Sequence, residues 1–171
     1  MTPASPDGTT STSCRDKASP GTKFGLDKPY VLTEFGPLGH WEGGRAPWGA
    51  PYELTSSQKM NWYERTYRGN VIDNASQCLG SYTFLWGYKD EATPTWFGMF
   101  LSDGTKLGAV DVLSCLWQGK EVKSNCPLVE PIQLDGDAEN APGKELKASL
   151  EVDANGGGDV SLEWTLRREM Q

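Results

Sequence analysis

The sequence predicts an α/β unit followed by a short β-rich segment, and three observations carry that prediction. Two apolar runs are separated by a helical pattern; each run leads into a long loop of Gly, Pro and aromatic residues; and beyond Lys120 the apolar spacing changes from three or four to two. The 171 residues make room for one ordinary domain, or one domain and part of another.

Residues 1–27 are dominated by Thr, Ser, Pro, Gly and Asp without apolar periodicity, which predicts a disordered tail. Order is expected from Lys28, where Tyr30-Val31-Leu32-Thr33-Glu34-Phe35 reads as a buried strand stopped by Gly36 and Pro37. Gly36 to Tyr52 is a long loop holding Trp41 and Trp48. Thr55 then caps a helix with Gln58 reaching back, and Met60, Tyr63, Tyr67 and Val71 give it one apolar face over about 18 residues. Leu79 to Trp86 is a second buried strand ended by Gly87. Strand, helix, strand makes the two strands parallel.

A polar and aromatic loop, Gly87 to Asp103, precedes a further helix marked by Leu107, Val110, Leu113, Leu116 and Trp117 and closed by Gly119. After it, Ile132 to Leu134, Glu145 to Val152 and Val160 to Leu166 alternate apolar and polar residues, punctuated by Pro127, Pro131 and Pro142. These read as strands of a truncated β-sandwich over 127–171, because a complete seven-stranded sandwich takes about 100 residues.

Composition narrows the function. A net charge of -7 provides no basic footprint for phosphates, so nucleic acid is not expected as a partner, and an acidic surface suits neutral or cationic ligands better. Nothing approaches the ~20 apolar residues of a membrane span, and the N-terminal segment has no apolar core of a secretory signal. Cys14, Cys78, Cys115 and Cys126 show no CxxC spacing, so no zinc site is indicated. They read as packing thiols, or as one bridge, Cys78–Cys126 or Cys115–Cys126, in an oxidising compartment. Asp135, Asp137, Asp153 and Asp159 lack calcium-loop spacing and read as solvated turns, so no metal or other cofactor is expected. Asn74-Ala75-Ser76 matches the short glycosylation sequon.

In parallel α/β structures functional groups gather beyond the C-terminal strand ends, where Glu34 and Trp86 are expected. Glu34 has two readings: a carboxylate held by loop backbone, or the nucleophile or acid of glycoside cleavage. Glu91 is the second carboxylate within reach, since adjacent strand ends lie about 4.8 Å apart, but it lies on a loop five residues past its strand. Seven tryptophans are many for this length; Trp41, Trp48, Trp86 and Trp96 stand in loops or at a strand end, where flat rings can stack on sugar C–H faces, whereas Trp62 and Trp117 lie on helices and read as core. His40, the one histidine, reads as a surface residue, which leaves no histidine-based triad.

Together, Lys28-Pro29-Tyr30-Val31-Leu32-Thr33-Glu34-Phe35-Gly36-Pro37, Pro47-Trp48-Gly49-Ala50-Pro51, Thr55-Ser56-Ser57, Cys78 to Gly87 and Glu91 to Gly98 resemble the last quarter of the catalytic barrel in clan A glycoside hydrolases, closest to family 2. The resemblance covers about residues 28–120. It implies a partial (β/α)8 TIM barrel, its last two βα units, with Tyr30 to Phe35 as barrel strand seven and Ser81 to Trp86 as strand eight. It implies that Glu34 is the nucleophile of a retaining β-glycoside hydrolase and that Trp86 is the stacking floor for the sugar; Trp41, Trp48 and Trp96 are further candidate carbohydrate contacts by their loop positions alone. The β-rich segment is similar to cadherin-like or fibronectin-like modules appended to such enzymes, which are generally exported to the periplasm or the medium. The clan's acid/base glutamate ends strand four, usually after an asparagine, and no residue before 28 matches it here. The expectation is therefore a fragment inactive alone, or one needing a complementary barrel-forming chain, with a carbohydrate-binding or interaction protein without catalysis as the alternative.

Overall fold

The computed structural model describes residues 28–120, 126–136, 141 and 143–166; the tail 1–27 with Cys14, and Asp137 and Pro142, lie outside them. The first unit consists of β1 (Tyr30–Phe35), α1 (Ser56–Tyr67), a π-helical turn (Arg68–Ile72), β2 (Cys78–Thr83) and α2 (Gly108–Gln118). β1 and β2 run parallel, with Tyr30 opposite Cys78, Leu32 opposite Ser81 and Phe35 opposite Thr83. The Phe84 N–H donates to Phe35 O at 2.7 Å and extends the pairing at the C-terminal end.

Local chemistry sets the helix limits. Thr55 Oγ1 accepts from Gln58 N at 3.2 Å while Gln58 Oε1 accepts from Thr55 N at 3.0 Å, a reciprocal pair that satisfies two donors at the start of α1. The helical run ends in the π-turn, where the Asn74 side chain donates to Gly69 O at 2.6 Å and redirects the chain into β2. Gly119, at φ 63°, ends α2 in the left-handed region that a side chain disfavours. At the start of α2 a Cβ on Gly108 would meet Met60 Sδ at 3.2 Å, so the glycine allows the two helices to approach.

Both helices cover the same face of the strand pair. Phe35, Tyr63, Met99, Ala109, Val112 and Leu113 form the buried core, with Leu32, Met60, Tyr67 and Leu116 packed around it. The strands themselves are not fully buried, contrary to the sequence expectation: Leu79 is 74% and Tyr82 67% exposed, and Val31 is also exposed. Continuous apolar runs signal strands covered on both sides, and here the helices supply only one cover. Trp117 is likewise exposed rather than core, and Trp62 is half-buried beneath the Arg65 guanidinium, 4.5 Å from its ring centre. Cys78 and Cys126 both remain thiols, so neither expected bridge forms, and the buried Cys115 is disulfide-bonded.

The second unit is one bent β-ribbon. β3 (Leu128–Val129) pairs antiparallel with β6 (Val152–Asp153), and β4 (Gln133–Asp135) with β5 (Lys147–Ser149). Between the two ladders residues 130–132 face residues 150–151, so one strand carries an extra residue, and Pro131, without an N–H, occupies that bulge. The ribbon is tied to the first unit by the Val129 N–H, which donates to Ser57 Oγ at 2.7 Å. Residues 160–166, expected as a strand, form no ladder among the described residues, and Leu162 and Trp164 are exposed. Asp153 accepts from Asn155 N at 2.8 Å and acts as a turn residue.

Candidate functional site

The loops following β1 and β2 meet beyond the C-terminal ends of the strands, where Glu34, Trp41, Glu42, Lys89, Glu91 and Phe97 line a cleft of about 150 Å³. The loops can meet because residue 36 is glycine: a Cβ there would lie 2.3 Å from Phe84 O. Tyr63 fixes the same carbonyl from below, its hydroxyl donating to Phe84 O, and burial pushes that phenol's pKa up so that it stays a donor.

Glu34 stands at the end of β1 with its side chain open to solvent. Among the described residues nothing hydrogen-bonds to or pairs with its carboxylate, so the loop-backbone contact expected of a purely structural strand-end carboxylate is not made. Glu91 differs. Lys89 Nζ pairs with its Oε2, and His40 Nε2 lies 3.5 Å from its Oε1. The Lys89 ammonium hydrogen bond, aided by His40, holds the Glu91 carboxyl below its ordinary range, so the group acts as an acceptor rather than a proton donor. Lys89 also sits 5.2 Å and 5.8 Å from the ring centres of Phe84 and Phe97. Glu91 is presented by a three-residue turn in which Thr93 N donates to Glu91 O at 2.7 Å and Ala92 takes φ 58°.

Trp41 is 63% exposed and packs over Gly39, with His40 edge-on at 4.8 Å and Phe97 at 6.2 Å. It is thus a solvent-facing ring held from behind. The other tryptophans are placed differently. Trp86, expected as the sugar floor beside Glu34, is 58% exposed but not among the residues lining this cleft, and it packs edge-on against Phe100 at 5.0 Å. Trp96 is 3% exposed, its indole N–H donating to Leu38 O at 2.9 Å, which makes it a pillar beneath the loop. Trp48 lies at the tip of a tight turn closed by Ala46 N to Ala50 O at 2.8 Å and is exposed. His40, expected at the surface, is half-buried between Trp41, Trp96 and Glu91.

A network absent from the sequence reading supports the cleft. Glu53 accepts from Thr93 Oγ1 at 2.5 Å and Thr95 Oγ1 at 2.7 Å and pairs with Lys59 Nζ, which also donates to Thr95 O at 2.7 Å. It joins α1 to both loops. Lys59 is 6% exposed, and burial pushes its pKa down while Glu53 opposes that shift. The Lys59–Glu53 pair spans six positions, but its threonine and carbonyl partners lie 36 to 42 positions away, so no local signal marks the network.

Among the described residues no group of three or more His, Cys, Asp or Glu is placed to hold a metal ion, and no helix is long and apolar enough to cross a membrane. Compared with known protein families and with curated proteins, the sequence finds no match.

Proposed function

We propose that residues 28–120 are the last two βα units of a retaining β-glycoside hydrolase barrel, with Glu34 as nucleophile, and that the chain alone binds β-linked carbohydrate without cleaving it. The observation that carries this reading is the Glu34 carboxylate itself, projecting from a strand end into a cleft beside an exposed indole with no structural partner among the described residues. A carboxylate so placed can attack an anomeric carbon once a sugar ring lies on Trp41.

Hydrolysis also needs a proton for the leaving group, and Glu91 does not meet that need, because Lys89 and His40 keep it ionised. Loss of general acid catalysis lowers rates by about 10² to 10⁴-fold. Exposed Val31, Leu79 and Tyr82 mark an uncovered strand face that a complementary barrel-forming chain would bury. The ionised Glu91 equally favours the second reading, a carbohydrate-binding protein without catalysis.

Turnover of aryl β-glycosides by the wild type and Glu34→Gln separates these possibilities. The expected result is equal, negligible turnover by both; wild-type turnover clearly above the variant's would contradict inactivity and return Glu91 as the acid. If a complementary chain restores turnover to the wild type but not to Glu34→Gln, the nucleophile is identified. Restoration in both would exclude Glu34 from that role.

A further inference from the structure

We infer that the cleft discriminates by charge, favouring glycans that carry protonated amino sugars and rejecting those that carry uronates, with Glu42 as a specificity-determining residue beside Glu34. The inference rests on the sugar-binding reading of the cleft and adds the class of sugar.

Among the described residues lining the cleft are three carboxylates, Glu34, Glu42 and Glu91, and one ammonium, Lys89, which leaves two negative charges. The single cation is already engaged: Lys89 is paired with Glu91 and lies over two phenyl rings. Among the described residues lining the cleft a uronate finds no cation outside that pair, and it meets Glu34 and Glu42. To recruit Lys89 it must displace Glu91, leaving that carboxylate with only the His40 contact at 3.5 Å.

Glu42 is held in place, because its Oε2 accepts from Gly39 N at 2.8 Å, on the glycine over which Trp41 packs. The carboxylate and the indole are therefore positioned by the same turn. An ammonium group on a sugar stacked at Trp41 gains twice, from the carboxylates and from the negative face of the ring. The chain's net charge of -7 adds long-range attraction of the same sign. Neutral sugars stack without either gain or penalty.

The test is isothermal titration calorimetry of the full chain with β-1,4-linked tetramers of glucosamine, glucose and glucuronate, at a mildly acidic pH that keeps the amines protonated. The expected order is glucosamine, then glucose, then glucuronate, with about three- to tenfold between the first two at ~10 mM ionic strength, shrinking below about twofold at ~1 M as the screening length falls from ~30 to ~3 Å. Glu42→Gln, whose amide oxygen can still accept the Gly39 N–H, should reduce the glucosamine advantage over glucose. Glucose binding matched or exceeded by glucuronate would overturn the charge inference while leaving the sugar site standing. Absence of binding by all three would overturn both. An undiminished glucosamine advantage in Glu42→Gln would remove Glu42 from the role.

Discussion

Glu91 and Lys89 form an ion pair within the cleft that Glu34 also lines, so one of the two carboxylates nearest the strand ends is neutralised and the other is not. That asymmetry assigns them different work. Because the folded-state pKa of Glu91 is depressed below its ordinary 4.5, its contribution to stability is present above that value and is lost as pH falls through the folded pKa. Lys89→Met should raise the Glu91 pKa toward the ordinary value, measured by carboxyl-carbon NMR titration. An unchanged midpoint would show that His40, not Lys89, dominates.

The Glu53 network should dominate the stability of the loops. Glu53→Ala leaves Lys59 buried without its carboxylate, and removing one partner of a buried pair costs about 3 to 5 kcal/mol. Lys59→Met, which fills similar volume without a charge, should in combination with Glu53→Gln recover much of that loss. Urea unfolding of the single and double variants measures both, and additive losses would argue against direct coupling.

Contact between Gly36 and Phe84 O predicts a steric effect. Gly36→Ala places a methyl 2.3 Å from a carbonyl oxygen and should cost about 1 to 3 kcal/mol. Gly80→Ala in the neighbouring strand, where no atom lies within 4 Å of the added carbon, is the control and should not destabilise. Thermal denaturation compares them; equal midpoints would mean that the loops separate freely.

Ala92, at φ 58°, predicts a change of the opposite sign. Ala92→Gly should be neutral to about 1 kcal/mol stabilising, because glycine takes positive φ without steric cost, whereas Ala92→Val should destabilise. Chemical denaturation decides; a loss of stability in the glycine variant would show that the turn is not strained.

Which of these features the sequence reveals depends on whether their cause is local. The Thr55–Gln58 cap, the Gly119 stop and the parallel β1–β2 order depend on neighbouring residues or on element order, and all could be read in advance. Exposure of Leu79 and Tyr82 could not, because an apolar strand looks the same whether one face or both are covered. Trp96 and Trp41 occupy similar loops in the sequence, yet the first is buried by its bond to Leu38 and the second is exposed, a difference decided by contacts up to 58 positions apart. Val160 to Leu166 has strand periodicity without a ladder, since alternation specifies a face but not a partner.

Whether Glu34 and Trp41 share a sugar-binding cleft is measured most directly by an NMR titration of the indole N–H signals with laminari-, cello- and galacto-oligosaccharides. The expected result is saturable shifts of the Trp41 signal, assigned through Trp41→Phe, with at least one series, retained in Glu34→Gln. Flat titrations with all three series, or saturable shifts confined to other indoles, would contradict it.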